Sequence, residues 1–216
     1  MTDHPLDVTG VVLAGGQSRR FEAGDKALAT LGDDPLLKRV VGTLRAVTGR
    51  PPIVAVRTPE QQARLSTVLP TAWDVRFVQD AESLSGPVAG VTAACAEAET
   101  PWLFVAGCDM PLLEPRAISA LFDKAAQDSA RTASAIVPRS EGGYHEPLHA
   151  LYRCSAVRNI ASALSTGDGF GVLLKQLADV DYVPFADLPR AVRTSVTNVN
   201  TCRELERIAA PCEANQ

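Results

Sequence analysis

A pair of glycines and a nearby lysine follow a short apolar run close to the start of the chain. The run from Val8 to Leu13 leads into Gly15-Gly16 and then, past two arginines, to Lys26. Glycine has no Cβ, so its backbone N–H groups can approach a bound anion closely. The lysine adds positive charge beside them. The stretch therefore predicts a site for a phosphate group or a nucleobase at the end of a strand.

The loop matches neither of the common phosphate-binding fingerprints. Lys26 stands between Asp25 and Ala27, so the pattern G-x-x-x-x-G-K-[ST] is absent. The G-x-G-x-x-G spacing of dinucleotide-binding sites is absent as well. A Gly-rich turn with solvated charges is the alternative that the sequence leaves open for these glycines.

A carboxylate follows a second apolar run, at Asp109. The residues are Gly107-Cys108-Asp109-Met110-Pro111, directly after Leu103 to Ala106. Ligands of α/β proteins bind at the carboxyl ends of the parallel strands, and Mg²⁺ prefers hard oxygen ligands. Asp109 is therefore the leading candidate for a metal ligand. A role as a helix N-cap or turn residue is the alternative.

Two more polar side chains stand at similar positions. Asp80 follows an apolar run and precedes Gly86-Pro87-Val88-Ala89-Gly90, whose small residues would let a base or a ribose lie against the backbone. Asn200, within Asn198-Val199-Asn200-Thr201, precedes a predicted helix that carries Leu205 and Ile208. Its amide oxygen could complete a metal shell, and helix capping by Thr201 is the alternative role for this motif.

The sequence gives no sign of a protein nucleophile or of a zinc site. Ser18 lacks a G-x-S-x-G context, and no Ser/His/Asp order is legible. His145 and His149 have no third ligand at metal spacing, so we expect them to face substrate or to be structural. The five cysteines are widely spaced and odd in number, which favours free thiols over a disulfide framework.

Short β-branched runs alternate with helical patterns along the chain. Predicted strands are Val8 to Leu13, Ile53 to Arg57, Val75 to Val78, Trp102 to Ala106, Ala135 to Val137, Leu148 to Tyr152 and Val192 to Val196. Predicted helices run from Pro35 to Val47, from Gly86-Pro87, from Glu114-Pro115, from Ser155 to Leu164 and from Val172 to Leu177. This alternation predicts an α/β fold, a doubly wound and mainly parallel sheet with helices on both faces. We expect a single domain over residues 1–216.

The composition of the chain limits the kinds of molecule that it is expected to bind. The chain has 216 residues, of which 46% are hydrophobic, and a formal net charge of -4. An acidic protein of this kind is a poor general binder of nucleic acid or of a membrane surface. No apolar run approaches the ~20 residues that cross a bilayer, and the start lacks a signal-peptide pattern. We therefore expect a cytoplasmic protein that acts on small molecules.

Taken together, these motifs resemble those of the molybdenum cofactor guanylyltransferases, a nucleotidyltransferase family. The family pattern is an LAGG-x-S-x-R loop ending in DK, an acid before GP-[LV]-AG, then CD-x-P, PL-x-A-[LV]-Y and N-x-NT. It is matched in order over nearly the whole chain. The matching segments are Leu13 to Lys26, Asp80 with Gly86 to Gly90, Cys108 to Pro111, Pro147 to Tyr152 and Asn198 to Thr201.

The resemblance implies a fold, a reaction and a set of site residues. The fold is that of the nucleotide-diphospho-sugar transferases. The reaction transfers GMP from GTP to the terminal phosphate of molybdopterin and releases pyrophosphate. Implied roles are catalysis for Arg20, Lys26 and Asp109, nucleotide binding for Leu13, Ala14, Gly15, Gly16, Lys26, Asp80 and Asp109, and Mg²⁺ binding for Asp109 and Asn200. Segment 142–152 would face the pterin, and molybdenum-insertion enzymes and molybdoenzymes would be protein partners.

The chain departs from the family pattern at three places. Phe21-Glu22 stands where Met-Gly is usual, Cys202-Arg203 stands where Pro-Glu is commoner, and Val54 to Arg57 lacks an asparagine that some relatives use near the nucleotide. Alternatives within the class are therefore a molybdopterin cytidylyltransferase and a phospholactate or cobinamide-phosphate guanylyltransferase. The alternative outside the class is a nucleotide-binding module without turnover.

Overall fold

The computed structural model describes residues 6–16, 21, 25–81, 84–127 and 132–209. The strands are β1 Val8–Leu13, β2 Thr30–Leu31, β3 Asp34–Pro35, β4 Ile53–Val56, β5 Arg76–Gln79, β6 Trp102–Gly107, β7 Ala135–Arg139, β8 His149–Arg153 and β9 Val180–Pro184. The α-helices are α1 Leu36–Thr48, α2 Pro59–Ser66, α3 Pro87–Glu97, α4 Pro115–Gln127, α5 Cys154–Ile160, α6 Phe170–Gln176, α7 Ala191–Ser195 and α8 Cys202–Ala209. Short 3₁₀ turns lie at Lys26–Leu28, Thr71–Trp73, Ala161–Ala163 and Phe185–Asp187.

Seven of the strands form one sheet in the order β5-β4-β1-β6-β8-β7-β9. Strands β5, β4, β1 and β6 are mutually parallel, and β7 is parallel to β9. Strand β8 is antiparallel to both of its neighbours. The carboxyl ends of the parallel strands and the start of β8 therefore share one edge of the sheet, where the chain places its glycines and acids.

Side chains alternate between two apolar layers, one on each face of the sheet. In β4, Val54 and Val56 pack in the first layer, whereas Ile53 and Ala55 pack in the second. Helices α1, α2, α4 and α7 cover the first layer, and α3, α5 and α6 cover the second. This period of two, with every residue of β4 buried, is typical of a strand covered on both faces.

A third apolar cluster joins the region of the small β2–β3 hairpin to α8. Phe21, Leu31, Leu36 and Val199 form its buried centre, and Leu205 and Ile208 of α8 pack against it. Phe21 is thus buried where the family pattern has methionine. Since Val199 directly precedes Asn200, this cluster ties the Asn200 segment to the elements that follow Lys26 in the chain.

The structure confirms the doubly wound, mainly parallel sheet with helices on both faces. One strand assignment is wrong: Val192 to Val196 was expected to return to the sheet, but residues Ala191–Ser195 form α7. The seventh strand of the main sheet is β9, a segment that the sequence pattern assigned neither to a strand nor to a helix. The β-branched content favoured a strand, but Val192 and Ser195 are buried at a spacing of three, the helical period.

Two smaller expectations concern cysteines and membranes. Cys95, Cys108, Cys154 and Cys202 carry free thiols, as predicted, and Cys212 lies outside the described residues. No helix within the described ranges is both long and apolar enough to cross a bilayer.

Candidate active site

A cleft of about 210 Å³ opens at the carboxyl edge of β1, β4, β5 and β6. Among the described residues, most of its wall is apolar or backbone, and the charged groups are Lys26, Asp80 and Asp109. The described residues that line it are Leu13, Ala14, Gly15, Gly16, Lys26, Asp80, Gly86, Pro87, Gly90, Gly107, Cys108, Asp109 and Leu148. Every residue that the sequence assigned to nucleotide binding lies in this lining.

Lys26, Asp109 and Asn200 meet at one point. Lys26 Nζ lies 2.6 Å from Asp109 Oδ2 and 3.2 Å from Asn200 Oδ1. The Lys26 and Asp109 side chains are only 15% and 16% exposed, so their ion pair is shielded from water. Two hard oxygens from distant parts of the chain therefore converge on one cation beside the cleft.

Local capping holds the Lys26 end of this arrangement. Asp25 is the N-cap of the 3₁₀ turn Lys26–Leu28, and its Oδ1 accepts a hydrogen bond of 3.1 Å from the backbone N–H of Ala27. The guanidinium of Arg64, on α2, lies 3.8 Å from the other oxygen of Asp25. The turn that carries Lys26 is thus fixed by side chains on both sides.

The Asp109 loop and the Asn200 segment are joined through their backbones. The N–H of Val199 donates to the carbonyl of Asp109 at 2.8 Å. Gly107 leaves room for the Asp109 carboxylate, because a Cβ at position 107 would collide with its Oδ1. Together these contacts bring the Asn200 amide to the same cation as the Asp109 carboxylate.

Thr201 and Glu204 form a capping box at the start of α8. Thr201 Oγ1 accepts from the N–H of Glu204 at 3.2 Å, and Glu204 Oε2 accepts from the N–H groups of Asn200 and Thr201. These backbone hydrogen bonds hold the pKa of Glu204 below its usual value. The capping role expected of this motif therefore belongs to Thr201. The Asn200 side chain takes no part in the box and instead accepts from Lys26.

Asp80 is held between two glycines. Ideal Cβ atoms built at Gly15 and Gly90 would lie 2.8 Å from Asp80 Oδ2 and 3.2 Å from Asp80 Oδ1. Burial raises the pKa of Asp80 to about 6, although the positive charge of Arg57 opposes the shift. The carboxylate is thus mostly ionised at neutral pH but poorly solvated, a state in which it gains by accepting hydrogen bonds from a ligand.

Gly16 differs from its neighbour because nothing lies near the position of its absent Cβ. No atom falls within 4 Å of a Cβ built there, counting the described residues. Gly16 lines the cleft, so this space is open to a ligand. Gly15 serves the packing of Asp80, whereas Gly16 leaves an unobstructed approach to the backbone.

The remaining titratable groups nearby are unsuited to nucleophilic chemistry. Burial raises the pKa of the Cys108 thiol to about 12, and the charge of Asp109 adds to the shift. His149 is fully buried behind the cleft, its ring edge-on to Phe104 at 5.1 Å, and burial lowers its pKa to about 3. Both groups are therefore neutral at pH 7.

The predicted site residues are largely brought together. Lys26, Asp80 and Asp109 line the cleft, and Asn200 contacts Lys26 from its rim. Arg20 lies outside the described residues. In segment 142–152, Leu148 lines the cleft, but β8 begins at His149 and is buried in the sheet up to Tyr152. Within this segment, residues 142–148 are exposed or partly exposed, whereas His149 to Tyr152 are buried.

Sequence reasoning missed Gln61. Gln61 is buried on α2 and donates from Nε2 to the carbonyl of Ala14 at 2.8 Å. The stretch Thr58-Pro59-Glu60-Gln61 after a strand is a recognisable capping-box signal, but its contact with the glycine loop is visible only in three dimensions.

Comparisons with known proteins show what this chain is similar to. Residues 10–180 match the family described as the MobA-like NTP transferase domain. A probable molybdenum cofactor guanylyltransferase of Natronomonas pharaonis is 33% identical over 92% of this chain and 95% of its own length. The molybdenum cofactor guanylyltransferase of Aliivibrio salmonicida is 30% identical over 94% of this chain and 96% of its own.

Solved structures share the fold. Molybdopterin-guanine dinucleotide biosynthesis protein A from Archaeoglobus fulgidus superposes with a TM-score of 0.72 at 26% identity, over 92% of this chain and 95% of that protein. A CMP:2-keto-3-deoxy-manno-octonic acid synthetase in complex with CTP superposes with a TM-score of 0.68 at 14% identity, over 94% of this chain and 97% of that chain. At that identity the second likeness concerns the fold alone.

Proposed function

This chain belongs to the family of MobA-like NTP transferases, and from that membership we propose that it transfers GMP from GTP to the terminal phosphate of molybdopterin, with release of pyrophosphate. The observation that carries the proposal is the convergence of Asp109 Oδ2 and Asn200 Oδ1 on the Lys26 ammonium, beside a cleft with an open glycine backbone. The relatives named as guanylyltransferases support the choice of nucleotide and acceptor.

The cleft suits a nucleoside triphosphate. Among the described residues nothing obstructs the approach to Gly16, and Lys26 supplies positive charge in the lining. The poorly solvated Asp80 carboxylate would accept hydrogen bonds from the N1–H and exocyclic amino group of guanine, which present two donors side by side. Cytosine lacks that pair of donors, so Asp80 favours guanine over cytosine.

The reaction needs positioning and charge neutralisation rather than a protein nucleophile. An oxygen of the acceptor phosphate forms a bond to the α-phosphorus of GTP, and the bond from that phosphorus to the β-bridging oxygen breaks. The bonding electrons leave with pyrophosphate, and no proton has to move. Lys26 offsets negative charge that develops during transfer, and Arg20 is proposed to assist it. The neutral Cys108 thiol is consistent with the absence of a covalent step.

The donor set fits a single Mg²⁺. Asp109 and Asn200 offer two oxygens that already contact one cation, the Lys26 ammonium. Among the described residues no three acidic, histidine or cysteine side chains cluster, which fits an ion that takes few protein ligands and completes its shell with phosphate oxygens and water. When bound, Mg²⁺ would polarise the α-phosphate and offset its charge.

The acceptor is proposed to bind beside the nucleotide on the same edge of the sheet. A more open cleft of about 390 Å³ lies at the carboxyl ends of β7 and β9. Arg139 and His145 line it, and the His145 ring stacks on Tyr182 with centroids 4.2 Å apart. Leu148, three residues after His145, lines the nucleotide cleft. A planar heterocycle could stack in the open cleft while its phosphate reaches the other.

Three wider predictions belong to the same proposal. A single nucleotidyltransferase domain over residues 1–216 is supported by apolar layers that draw on elements from β1 to α7. We further propose a cytoplasmic location. Molybdenum-insertion enzymes and molybdoenzymes are proposed as protein partners, because they would supply the acceptor or receive the dinucleotide product.

A substrate panel tests the proposal. Pyrophosphate release is measured with GTP, CTP, ATP and UTP, each with Mg²⁺ and with or without molybdopterin. We expect release only with GTP and acceptor together. Preference for CTP would indicate a cytidylyltransferase, and turnover only with another phosphorylated acceptor would indicate a relative of different specificity. Tight nucleotide binding without any release would indicate a binding module.

A further inference from the structure

Gln61, on α2, bridges the two backbone loops that follow β1 and β4. Its side chain is buried, with 7% of the residue exposed. Nε2 donates to the carbonyl of Ala14 at 2.8 Å, and Oε1 accepts from the N–H of Arg57 at 2.9 Å. The oxygen and the amino group of the Gln61 side chain therefore both make hydrogen bonds with main-chain groups at the edge of the nucleotide cleft.

This bridge is an unusual use of a capping box. Thr58 is the N-cap of α2, and its Oγ1 accepts from the N–H of Gln61 at 3.2 Å. In an ordinary capping box, the side chain three residues on accepts from the N–H of the cap residue itself. Here Oε1 accepts from the preceding residue, Arg57, and the amino group is directed across to the glycine loop. The capping of α2 alone does not require that second bond.

The bond to Ala14 fixes the orientation of the next amide. In a planar trans peptide, the N–H of Gly15 points opposite to the carbonyl of Ala14. The Ala14 backbone is tied to the β4 side through both its N–H, which donates to Ala55, and its carbonyl. The N–H of Gly15 must then point to the β6 side, where Asp109 lies. Among the described residues it donates to no acceptor.

We propose that Gln61 is a positioning residue that turns the Gly15 N–H toward the bound nucleotide. This inference rests on the proposed function in so far as the cleft binds a nucleoside triphosphate. This role needs both the oxygen and the amino group of the Gln61 side-chain amide. A glutamate would still accept from Arg57 but would set a carboxylate against the carbonyl of Ala14, and a methionine would fill the same space without either hydrogen bond.

Steady-state kinetics of Gln61→Met test the proposal, with Gln62→Met as the matched control one position along the helix. Because the Gly15 amide contacts the nucleotide before and during transfer, losing its orientation removes uniform binding. We expect KM for the nucleotide to rise about tenfold while kcat stays within about twofold of wild type. KM for the acceptor and all constants of the control should not change.

A merely structural role predicts a different pattern. Partial unfolding of Gln61→Met would lower the apparent kcat and leave KM unchanged, and that result would overturn the proposal. Unchanged constants would also overturn it. If the methionine variant does not fold, Gln61→Glu replaces it; this variant keeps the acceptor for Arg57, and a KM equal to that of wild type would refute the role of the Ala14 bond.

The test is independent of which nucleotide the protein uses. All constants are measured with the nucleotide that the wild-type protein prefers, and if none is turned over, dissociation constants are measured by calorimetry with the nucleotide that binds most tightly. If the wild-type protein does not prefer GTP, that result would contradict the guanylyltransferase proposal alone. Equal affinity of wild type and Gln61→Met for that nucleotide would contradict the Gln61 inference alone.

Discussion

Lys26 and Asp109 form an ion pair in the wall of the cleft, and we propose that it binds substrate in addition to stabilising the fold. Their 2.6 Å contact is largely shielded, and Asn200 adds a second oxygen to the same ammonium. An ammonium held between two oxygens is confined to one position, so little reorganisation is needed when an anion arrives. Preorganised charge of this kind is a large term in phosphoryl transfer.

Removing either charge is expected to separate activity from folding. Lys26→Met should lower kcat/KM by roughly a hundredfold or more, about 3 kcal/mol of transition-state stabilisation. Asp109→Asn should abolish Mg²⁺-dependent transfer, because a neutral amide is a weak ligand for a hard cation. Pyrophosphate release and circular dichroism together check both variants. Asp181→Asn, at an exposed position of β9, is the control, and wild-type turnover in Asp109→Asn would remove Asp109 from the mechanism.

His149 makes the stability of the fold depend on pH. Burial lowers its pKa to about 3, whereas the unfolded chain has an ordinary histidine pKa near 6.5. Between these values the unfolded state binds the extra proton, so stability is complete above pH 6.5 and falls as the pH drops toward 3. We expect the free energy of unfolding to fall by up to about 1.4 kcal/mol per pH unit in this window, measured by urea unfolding.

His149→Leu isolates this effect. In this variant the free energy of unfolding should lose the part of its pH dependence that is due to His149. The variant should be at least as stable as wild type at pH 5, because no buried imidazole has to stay neutral. Asp80, whose pKa is raised, acts in the opposite direction: its stabilising contribution is present below pH 4 and is lost as the pH rises through about 6. Asp80 is unchanged in both proteins, so it cancels in the comparison. An identical slope in wild type and His149→Leu would contradict the assignment.

Single residues differ in how far the sequence alone predicts them. Asp80 and Asp109 were identified because an acid directly after a strand of a parallel sheet has only one edge at which to lie. Gln61 was not, because its partner Ala14 is 47 residues away and is chosen by the packing of α2 against the sheet. For the Asn200 motif the sequence left metal binding and helix capping open, and the structure confirms the cap at Thr201.

Helix α3 packs closely against β1 and β4 beside the cleft. A Cβ at Gly90 would lie 3.0 Å from both Leu13 Cδ2 and Ala55 Cβ, and 3.2 Å from Asp80 Oδ1. The helix is therefore as close to the sheet as a glycine allows. A Cβ at Gly16 would meet nothing in the described protein. Gly90 thus allows the close packing of α3, whereas Gly16 leaves room for a ligand.

Alanine at these two positions should differ in its effect on stability but weaken nucleotide binding at both. Gly90→Ala is expected to lower the free energy of unfolding by about 1–3 kcal/mol, because α3 must move outward, and to weaken nucleotide binding as Asp80 shifts. Gly16→Ala should leave stability unchanged or slightly higher and still weaken nucleotide binding, since its methyl group occupies the approach to the backbone. Urea unfolding and calorimetry on both variants check this. Wild-type affinity in Gly16→Ala would contradict the placement of the nucleotide.

Elements were predictable where burial and local preference agree. Strands β1, β4 and β6 are continuous apolar runs covered on both faces, and all three were identified. Strand β9 was not, because it lies at the edge of the sheet and only Val183 is buried. Helix α7 was taken for a strand because its β-branched residues outweigh its single turn of helical periodicity.

The whole sheet brings two kinds of site to one edge. Strands β5, β4, β1 and β6 present the nucleotide cleft, and the reversal at β8 lets β7 and β9 end beside it with the second cleft. In the proposed function, the triphosphate and the acceptor would occupy these two neighbouring clefts. This arrangement would align the acceptor phosphate for attack on the α-phosphorus of the nucleotide through positioning alone.

Transfer of an isotopic label tests the central claim, that this edge of the sheet catalyses nucleotidyl transfer. The wild-type protein is incubated with Mg²⁺, molybdopterin and GTP labelled either at the α-phosphorus or at the γ-phosphorus, and the products are separated. We predict that the α label appears in the acceptor product and that the γ label appears only in pyrophosphate, with neither product formed by Asp109→Asn. Recovery of the γ label in the acceptor, or failure of the wild-type protein to transfer the α label, would contradict the account.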